Sequence, residues 1–264
     1  MASRLVVITG ASSGIGEATA KRYGASGARL ALLARSGGRL AAVAESIRNT
    51  GGDATPYPVD LSDRSATEET AARIAQDLGA PDILINNAGA GRYLPMTETT
   101  ADAALAMIEV PYLASFNLTR AFLPAMLARR SGSIAFITSP ASYVAWPRAS
   151  AYVAARRAVA GLAETLQSEL EGTGLVVSLV VLGEVKTPYW EHNPGSRDNI
   201  PKSNLRLIPV LTPDEAAGAI VEGIDAKRPF VVKPAVLRAL FVLNALFPRL
   251  VARQLRRATG KPSP

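Results

Sequence analysis

The stretch "RLVVITGASSGIG" (residues 4–16) decides the fold, because a short apolar run leads directly into a glycine-rich turn that opens a helical pattern. Gly10, Gly14 and Gly16 allow a tight turn and a close approach of the backbone to a ligand. The N-terminus of the following helix offers free N–H groups and a positive potential, which suit a pyrophosphate. The arrangement indicates a dinucleotide-binding turn after a first strand.

Beyond this turn, short apolar runs alternate with helical patterns. The predicted strands are 4–9, 28–34, 53–60, 82–86, 133–139, 174–182 and 229–232. The predicted helices are 14–26, 37–49, 62–78, 100–129, 151–171 and 213–226. Strands rich in Val, Ile and Leu that are separated by helices favour a parallel sheet covered on both faces. We therefore predict one α/β domain over 1–264, a Rossmann-like doubly wound parallel sheet of about seven strands, with ligands beyond the carboxyl ends of the strands.

Composition narrows the classes of function. The chain has no cysteine and one histidine, His192, which excludes disulfides and thiol catalysis and leaves no metal site expected. The first ten residues do not read as a signal peptide, and no run of about 18 apolar residues predicts a membrane span, so a cytoplasmic location is expected. The net charge of +7 raises the question of an anionic partner. Because the arginines are spread along the chain outside one C-terminal cluster, no nucleic-acid partner is expected.

Further motifs follow the glycine turn in a set order. "NNAG" (86–89) closes the fourth predicted strand, Ser139 ends the fifth, and Tyr152 lies thirteen residues after Ser139. Thr187 follows the sixth strand in "GEVKTP", and Asp60 ends the third. Together with the G-x-x-x-G-x-G spacing of the turn, these motifs make the chain resemble the short-chain dehydrogenase/reductase family.

The resemblance covers about residues 4–232 and implies a nicotinamide dinucleotide as cofactor. The residues assigned to its binding are Gly10, Ser12, Ser13, Gly14, Ile15, Gly16, Arg35, Asp60, Leu61, Asn87, Ala88, Gly89, Tyr152, Arg156, Gly183, Val185 and Thr187. An acidic residue at the end of the second strand would take a ribose 2′-hydroxyl, whereas Arg35 suits a 2′-phosphate. NADP(H) is therefore expected rather than NAD, although an ordinary surface arginine would also explain Arg35.

The resemblance also implies a catalytic group, two of whose four members are changed. Tyr152 stands where the family has its acid or base, and Ser139 stands where the family holds the substrate oxygen. Arg156 replaces the family's lysine and Pro111 replaces its asparagine. Arg156 lies one helical turn from Tyr152, so its charge favours the ionised tyrosine, but a guanidinium does not release a proton.

Pro111 has two explanations at this stage. A proline in the long helix is expected to kink it and to free the carbonyl of Met107, which would then hold a water. A tolerated kink without a catalytic role explains Pro111 equally well.

Most of the residues that are predicted to bind the substrate lie in the second half of the chain. Residues 188–211 are predicted to form a lid between the sixth strand and the next helix. A largely apolar substrate is expected from the rings assigned to the pocket, which are Tyr93, Tyr143, Trp146, Tyr189, Trp190 and His192. The resemblance implies a homodimer or homotetramer paired through 100–129 and 151–171.

A C-terminal tail at 234–260 is apolar on one face and basic at its end. Three roles stay open for it: peripheral contact with an anionic membrane, a cover over the substrate site, or an oligomer interface.

Three functions fit these observations. The first is an NADP(H)-dependent oxidoreductase that acts on a carbonyl or secondary alcohol, with hydride transfer that is slower and shifted in pH. The changes at Arg156 and Pro111 favour a second, in which Tyr152 serves a cyclase, lyase or isomerase reaction. The third is a nucleotide-binding regulatory or structural protein without turnover.

Overall fold

Seven parallel strands form one sheet in the order β3-β2-β1-β4-β5-β6-β7. The structure is a computed structural model that describes residues 3–89, 91–193, 196–200 and 208–259. The strands are β1 Leu5–Thr9, β2 Arg29–Ala34, β3 Asp53–Pro58, β4 Ile83–Asn86, β5 Gly132–Thr138, β6 Leu175–Leu182 and β7 Phe230–Lys233. The predicted Rossmann-like sheet of seven strands is confirmed.

Helices connect the strands and cover both faces of the sheet. They are α1 Gly14–Ala25, α2 Gly37–Asn49, α3 Arg64–Asp77, α4 Ala101–Ile108, α5 Ala114–Arg129, α6 Ser150–Glu169, α7 Tyr189–His192, α8 Pro213–Asp225, α9 Val236–Leu246 and α10 Pro248–Ala258. Among the helices of the described ranges, none has the length and apolar content needed to cross a bilayer.

Alternate side chains of β1, an interior strand of the sheet, enter two hydrophobic cores. Val6 and Ile8 of β1 pack on the side that carries α1, α2 and α8. Val7, which points the other way, packs on the side of α3, α5 and α6. Every residue of β1 is buried, because a parallel strand in the middle of such a sheet has helices on both faces.

The predicted helix at 100–129 is not continuous. A wide π-helical turn at Glu109–Leu113 separates α4 from α5, and buried Pro111 lies at its centre. Proline has no N–H to donate and its ring displaces the carbonyl one turn earlier, which explains the break at this point. The hydroxyl of Ser115 donates to the carbonyl oxygen of Pro111 over 2.7 Å. Pro124, by contrast, lies within α5 without interrupting it.

The tail forms two helices instead of one. Phe247 has a non-helical conformation between α9 and α10, and Pro248 begins α10 at a position that needs no N–H donor. Leu237 is buried, and Leu240 and Phe241 pack on the same core as α6, so α9 is docked on the body of the protein.

Candidate active site

A cavity of about 300 Å³ lies beyond the carboxyl ends of β1 and β4. The strand order reverses between these two neighbours, which is where open parallel sheets form a ligand crevice. The predicted cofactor residues that line it are Gly10, Ser12, Ser13, Gly14, Ile15, Gly16, Arg35, Asp60, Leu61, Asn87, Ala88, Gly89 and Thr187. The structure thus brings together residues from five separate parts of the chain.

Glycine is required at the turn that floors this cavity. A Cβ at Gly16 would lie 2.2 Å from the carbonyl oxygen of Gly10, and a Cβ at Gly14 would lie 3.0 Å from Cγ2 of Thr187. Gly10 and Gly14 also have positive φ angles of 67° and 58°, which other residues adopt at a cost. The inner side of the turn is therefore packed against its own backbone, and only the outer side is open to a ligand.

Thr9 joins the glycine turn to the "NNAG" segment. Its hydroxyl oxygen accepts hydrogen bonds from the backbone N–H groups of Asn87 at 2.9 Å and Ala88 at 2.8 Å. The side-chain amide of Asn87 donates to the carbonyl oxygen of Thr9 over 2.9 Å. Asn87 therefore positions the glycine turn in addition to lining the cavity.

Two arginines and one carboxylate mark the far end of the cavity. Exposed Arg35 follows β2, and Arg39 lies on α2, where its Nε donates to the hydroxyl of Ser36 over 3.2 Å. Asp60 accepts from the backbone N–H and hydroxyl of Ser62 at 3.0 and 2.8 Å. Burial alone would raise the pKa of Asp60, but these bonds and the charge of Arg35 hold it below its usual value. The pair of arginines suits a phosphate on the adenine ribose.

A second cavity of about 270 Å³ adjoins the first. The predicted residues that line it are Ile15, Asn87, Gly89, Tyr93, Ser139, Trp146, Tyr152, Arg156, Gly183, Val185, Thr187, Tyr189 and Trp190. Ile15, Asn87, Gly89, Thr187 and Tyr189 line both cavities, so the two form one continuous cleft.

Tyr152 and Arg156 are in direct contact within the second cavity. Cζ of Arg156 lies 4.9 Å from the centroid of the Tyr152 ring, a cation–π distance. Arg156 is only 8% exposed, and its Nε has no hydrogen-bond partner among the described residues. Burial lowers the pKa of Arg156, but the hydroxyls of Tyr152, Tyr189 and Tyr93 outweigh this, so the guanidinium stays charged.

Two glycines leave room for this pair. A Cβ at Gly89 would lie 2.8 Å from a terminal nitrogen of Arg156. A Cβ at Gly91 would lie 2.4 Å from Cδ2 of Tyr152 and 2.9 Å from the hydroxyl of Tyr189. The segment after β4 therefore packs closely on both residues: a side chain at Gly91 would meet the Tyr152 ring, and one at Gly89 would displace the end of the Arg156 side chain.

Hydrogen bonds hold the start of α6 against the end of β5. The hydroxyl of Ser142 donates to the carbonyl oxygen of Arg156 over 2.8 Å and lies 2.8 Å from the hydroxyl of Thr138. Ser139 itself caps the 3-10 turn at Pro140–Ser142, where its hydroxyl oxygen accepts from the N–H of Ala141 at 3.2 Å. That bond uses a lone pair of Ser139 and leaves its proton available to a substrate oxygen.

Aromatic rings form the wall around Tyr152. The ring centroid of buried Tyr93 lies 4.6 Å from the ring centroid of Tyr152, 5.8 Å from that of Trp190 and 6.1 Å from that of Trp146. The hydroxyl of Tyr189 donates to the carbonyl oxygen of Gly91 over 2.7 Å. Burial is the largest cause that raises the pKa of Tyr93 and of Tyr189, so both are neutral phenols. The wall is thus uncharged and mostly apolar.

The assignment of Tyr143 to the substrate pocket is wrong. Its ring packs 4.9 Å from that of Phe241 on α9, and its hydroxyl donates to Glu164 over 2.7 Å. The side-chain amide of Asn244 donates to its carbonyl oxygen over 3.0 Å. Tyr143 therefore serves to dock the tail on the body of the protein.

Pro111 and His192 are the remaining predicted site residues. Pro111 lines neither cavity, although its neighbour Val110 lines the first, and a part for Pro111 in the catalytic group stays a prediction. The water proposed at the Met107 carbonyl stays a prediction. The backbone of His192 ends α7, but its side chain lies outside the described residues, as does 201–207 of the predicted lid.

Several lining residues had not been predicted. In the first cavity these are Ala34, Ser36, Arg39, Val59, Val110, Pro188 and Asn193. In the second they are Ile137, Thr138, Leu182, Glu184 and Ile200. Arg39 had a detectable signal, since it lies four residues after Arg35 in a predicted helix. Ile200 had none, because only the folded lid brings it to the cavity.

A family model described as short chain dehydrogenase matches residues 4–197. An uncharacterised oxidoreductase of Mycobacterium tuberculosis is 34% identical over 260 residues, which cover 97% of this chain and 73% of that protein.

Two solved structures show the same architecture. A short-chain dehydrogenase from Sphingobium yanoikuyae in complex with NADPH has a TM-score of 0.80 at 27% identity, and the match covers 98% of this chain and 99% of the other. A short chain dehydrogenase/reductase from Burkholderia phymatum in complex with NAD has a TM-score of 0.84 at 24% identity, covering 99% and 98% of the two chains, and supports the fold alone.

Proposed function

The chain belongs to the short-chain dehydrogenase family, and on that premise we propose that it is an NADP(H)-dependent oxidoreductase. Its reaction moves a hydride between the nicotinamide and a carbonyl or secondary alcohol of a largely apolar substrate. The observation that carries the proposal is the continuity of the cleft. Tyr152 and Ser139 line a cavity that shares five lining residues with the dinucleotide cavity.

The residues of the first cavity fit a phosphorylated dinucleotide. Its closed glycine turn suits a pyrophosphate, and Arg35 and Arg39 place two positive charges where the adenine ribose would lie. The Sphingobium structure is in complex with NADPH, which is a property of that protein. The preference for NADP(H) therefore rests on the two arginines.

The protein groups divide the proton chemistry between them. When bound, the nicotinamide supplies or accepts the hydride. In the direction of reduction, Tyr152 gives its phenolic proton to the carbonyl oxygen, and the Ser139 hydroxyl donates a hydrogen bond to that oxygen. The charge of Arg156 over the Tyr152 ring stabilises the phenolate left behind. Since Arg156 keeps its proton, Tyr152 is reprotonated from elsewhere.

The lining of the second cavity favours an apolar substrate next to the reacting carbonyl. Tyr93, Trp146, Trp190 and Ile200 pack with Tyr152 in one apolar cluster and line the cavity. Such a lining binds aliphatic or aromatic groups by burial of apolar surface, and polar residues elsewhere in the lining, among them Thr138, Ser139 and Glu184, can fix the orientation.

A second candidate is non-redox chemistry on the same site. Arg156 and Pro111 replace two members of the family's catalytic group, which is the observation in its favour. A cyclase, lyase or isomerase would use Tyr152 as acid or base and would leave the dinucleotide unchanged. A protein that binds the dinucleotide without any turnover is the third reading.

Isotope transfer separates these readings. Purified protein would be incubated with NADPH deuterated at C4 of the nicotinamide and a panel of aldehydes and ketones that range from polar to long-chain. The proposal predicts an alcohol product that carries deuterium. Conversion of a substrate without deuterium in the product would favour the second candidate, and tight NADPH binding without conversion would favour the third.

Assembly stays a prediction. Pairing of subunits through α5 and α6 follows from the family, and the exposed side chains of Leu113, just before α5, and of Phe116 within it support this pairing.

A further inference from the structure

The positive charge of this protein lies in its C-terminal segment. Nine of the 29 Lys and Arg residues follow Asp225, whereas none of the 22 acidic residues does. The first 225 residues thus hold 20 basic and 22 acidic residues, and their charges nearly balance. Since the catalytic residues all precede this segment, its charge is not explained by the proposed reaction.

Exposed apolar side chains are concentrated in the same segment. Six of the eleven large apolar residues that are exposed in the described chain lie between Val236 and Leu250. Five of them form what we call the corner patch, where α9 meets α10: Val242, Leu243, Leu246, Phe247 and Leu250. Leu246 is 66% exposed and Phe247 55%, so these side chains stand clear of the body of the protein.

The opposite face of α9 is already occupied. Leu237, Leu240 and Phe241 face the core, and Asn244 bonds to Tyr143, at the three- and four-residue spacing of one helix face. Val242, Leu243 and Leu246 lie on the other side, and they are held there by the docked face. The corner patch therefore faces solvent, and an exposed apolar surface of this kind marks an interaction site.

Charged residues border the patch on α10. Arg249, Arg253, Arg256 and Arg257 are all exposed, while Val251 on the same helix is buried. The segment thus combines an apolar face with neighbouring arginines, and it has no carboxylate after Asp225. These features complement a surface that has an apolar interior and an anionic outer layer.

We propose that the corner patch and the arginines of α10 dock the protein on an anionic lipid bilayer. In a symmetric contact between two copies through the patch, the arginines of both would meet without carboxylates of their own segment to balance them. A nucleic acid would satisfy the arginines but would leave the five apolar side chains unburied. A bilayer surface accepts both features, because large apolar side chains enter the headgroup region and arginines contact lipid phosphates.

Vesicle flotation of the full-length protein tests the proposal. One set of vesicles would be phosphatidylcholine alone, and the other an equimolar mixture with phosphatidylserine. We expect the protein to float with the anionic vesicles and to be released by salt, since screening weakens exposed charge interactions. Leu246→Ser/Phe247→Ser and Arg253→Glu/Arg256→Glu should each lower partitioning about tenfold or more.

Matched variants control for surface changes elsewhere. Leu105→Ser removes an exposed leucine on α4, and Arg64→Glu/Arg73→Glu reverses two exposed charges on α3; both should float like the wild type. Thermal melting would establish that all variants are folded, as expected for exposed positions.

Four results would overturn the proposal. They are absence of flotation, equal flotation with both lipid mixtures, wild-type flotation of the tail variants, and equal losses in tail and control variants. A fall in oligomer mass in light scattering for Leu246→Ser/Phe247→Ser, without an effect on flotation, would assign the patch to a subunit contact instead.

Discussion

The guanidinium of Arg156 lies over the ring of Tyr152, with Cζ 4.9 Å from the ring centroid. Both residues are on α6, one turn apart, and both are buried in the second cavity. In the proposed reaction, a positive charge at this distance would stabilise the phenolate that remains after Tyr152 has given up its proton. The site thus retains the charge that the family's lysine provides, but it has no proton to pass on from that position.

Removal of the charge at position 156 should slow turnover strongly. Arg156→Gln keeps much of the volume and the polarity but leaves the Tyr152 phenolate without a cation nearby. We expect kcat/KM to fall about a hundredfold or more, as for the loss of one charge-stabilising group. Steady-state kinetics would measure this, and a fall of less than threefold, or about 0.7 kcal/mol, would show that the charge is not used.

A lysine at position 156 should instead accelerate the reaction. Arg156→Lys keeps the charge and restores a group that can release a proton, so we expect kcat to rise by up to about tenfold with a changed pH–rate profile. If kcat falls and the profile is unchanged, the pocket is built for the planar guanidinium. Cofactor affinity measured in parallel would separate effects on binding from effects on catalysis.

The arginine at the end of β2 should decide the choice of cofactor. Arg35→Ala removes a donor from the predicted 2′-phosphate site, so the Kd for NADPH should rise about tenfold to a hundredfold while that for NADH stays nearly constant. Titration by cofactor fluorescence would measure both. Arg64→Ala, which removes an exposed arginine from α3, is the control, and equal losses for both cofactors in Arg35→Ala would contradict the assignment.

A methyl group at Gly91 should disturb catalysis more than dinucleotide binding. The added Cβ would lie 2.4 Å from Cδ2 of Tyr152, so Tyr152 must move, whereas Gly91 lies outside the lining of the first cavity. A displacement of about 1 Å at the reacting group lowers kcat about a hundredfold. Gly161→Ala on α6, where a Cβ meets nothing within 4 Å, should keep full activity. Retained kcat in Gly91→Ala would mean that the Tyr152 position is not critical.

Tyr23 should make folding stability sensitive to alkaline pH. Its hydroxyl is buried with no hydrogen-bond partner among the described residues, and burial raises the pKa of Tyr23 far above its usual value. Tyr23 ionises near pH 10 in the unfolded chain but stays neutral there in the folded one. Its contribution to the free energy of unfolding is therefore complete below about pH 10 and is lost as pH rises further. Tyr23→Phe should remove this loss.

Tyr57→Phe is a matched control for the effect of Tyr23→Phe on the free energy of unfolding at neutral pH. Tyr23→Phe removes an unpaired hydroxyl and should be neutral or stabilising by up to about 1 kcal/mol. Tyr57→Phe removes a hydroxyl that donates to Asp77 over 3.0 Å and should destabilise by about 1 kcal/mol. Denaturant unfolding at neutral and alkaline pH would measure both, and equal effects of the two substitutions would contradict the difference in pairing.

Much of the fold could be predicted because local patterns and tertiary structure agree. The strands of the parallel sheet are continuous apolar runs, and Gly10, Gly14 and Gly16 punctuate the first connection at the point where the sheet reverses its order. A kink was expected at Pro111 within one helix, but the form it takes, a π-helical turn between two helices, depends on the packing of buried side chains around it.

The error at Tyr143 had a nonlocal cause. Its position between Ser139 and Tyr152 pointed to the pocket. In the structure, however, Tyr143 packs against Phe241 and bonds to Asn244, both about a hundred residues later in the chain. Gly91 was missed for a similar reason, since its closeness to Tyr152 exists only after β4 and α6 have packed.

The most direct measurement is NADPH oxidation by the wild type and by Tyr152→Phe, each with the carbonyl compound that the isotope experiment identifies. The variant loses one hydroxyl and keeps the ring beneath Arg156. The account predicts that NADPH binds both proteins alike and that turnover falls at least about a thousandfold in Tyr152→Phe. Equal turnover in the two proteins would contradict it, because the proton would then come from a group other than Tyr152.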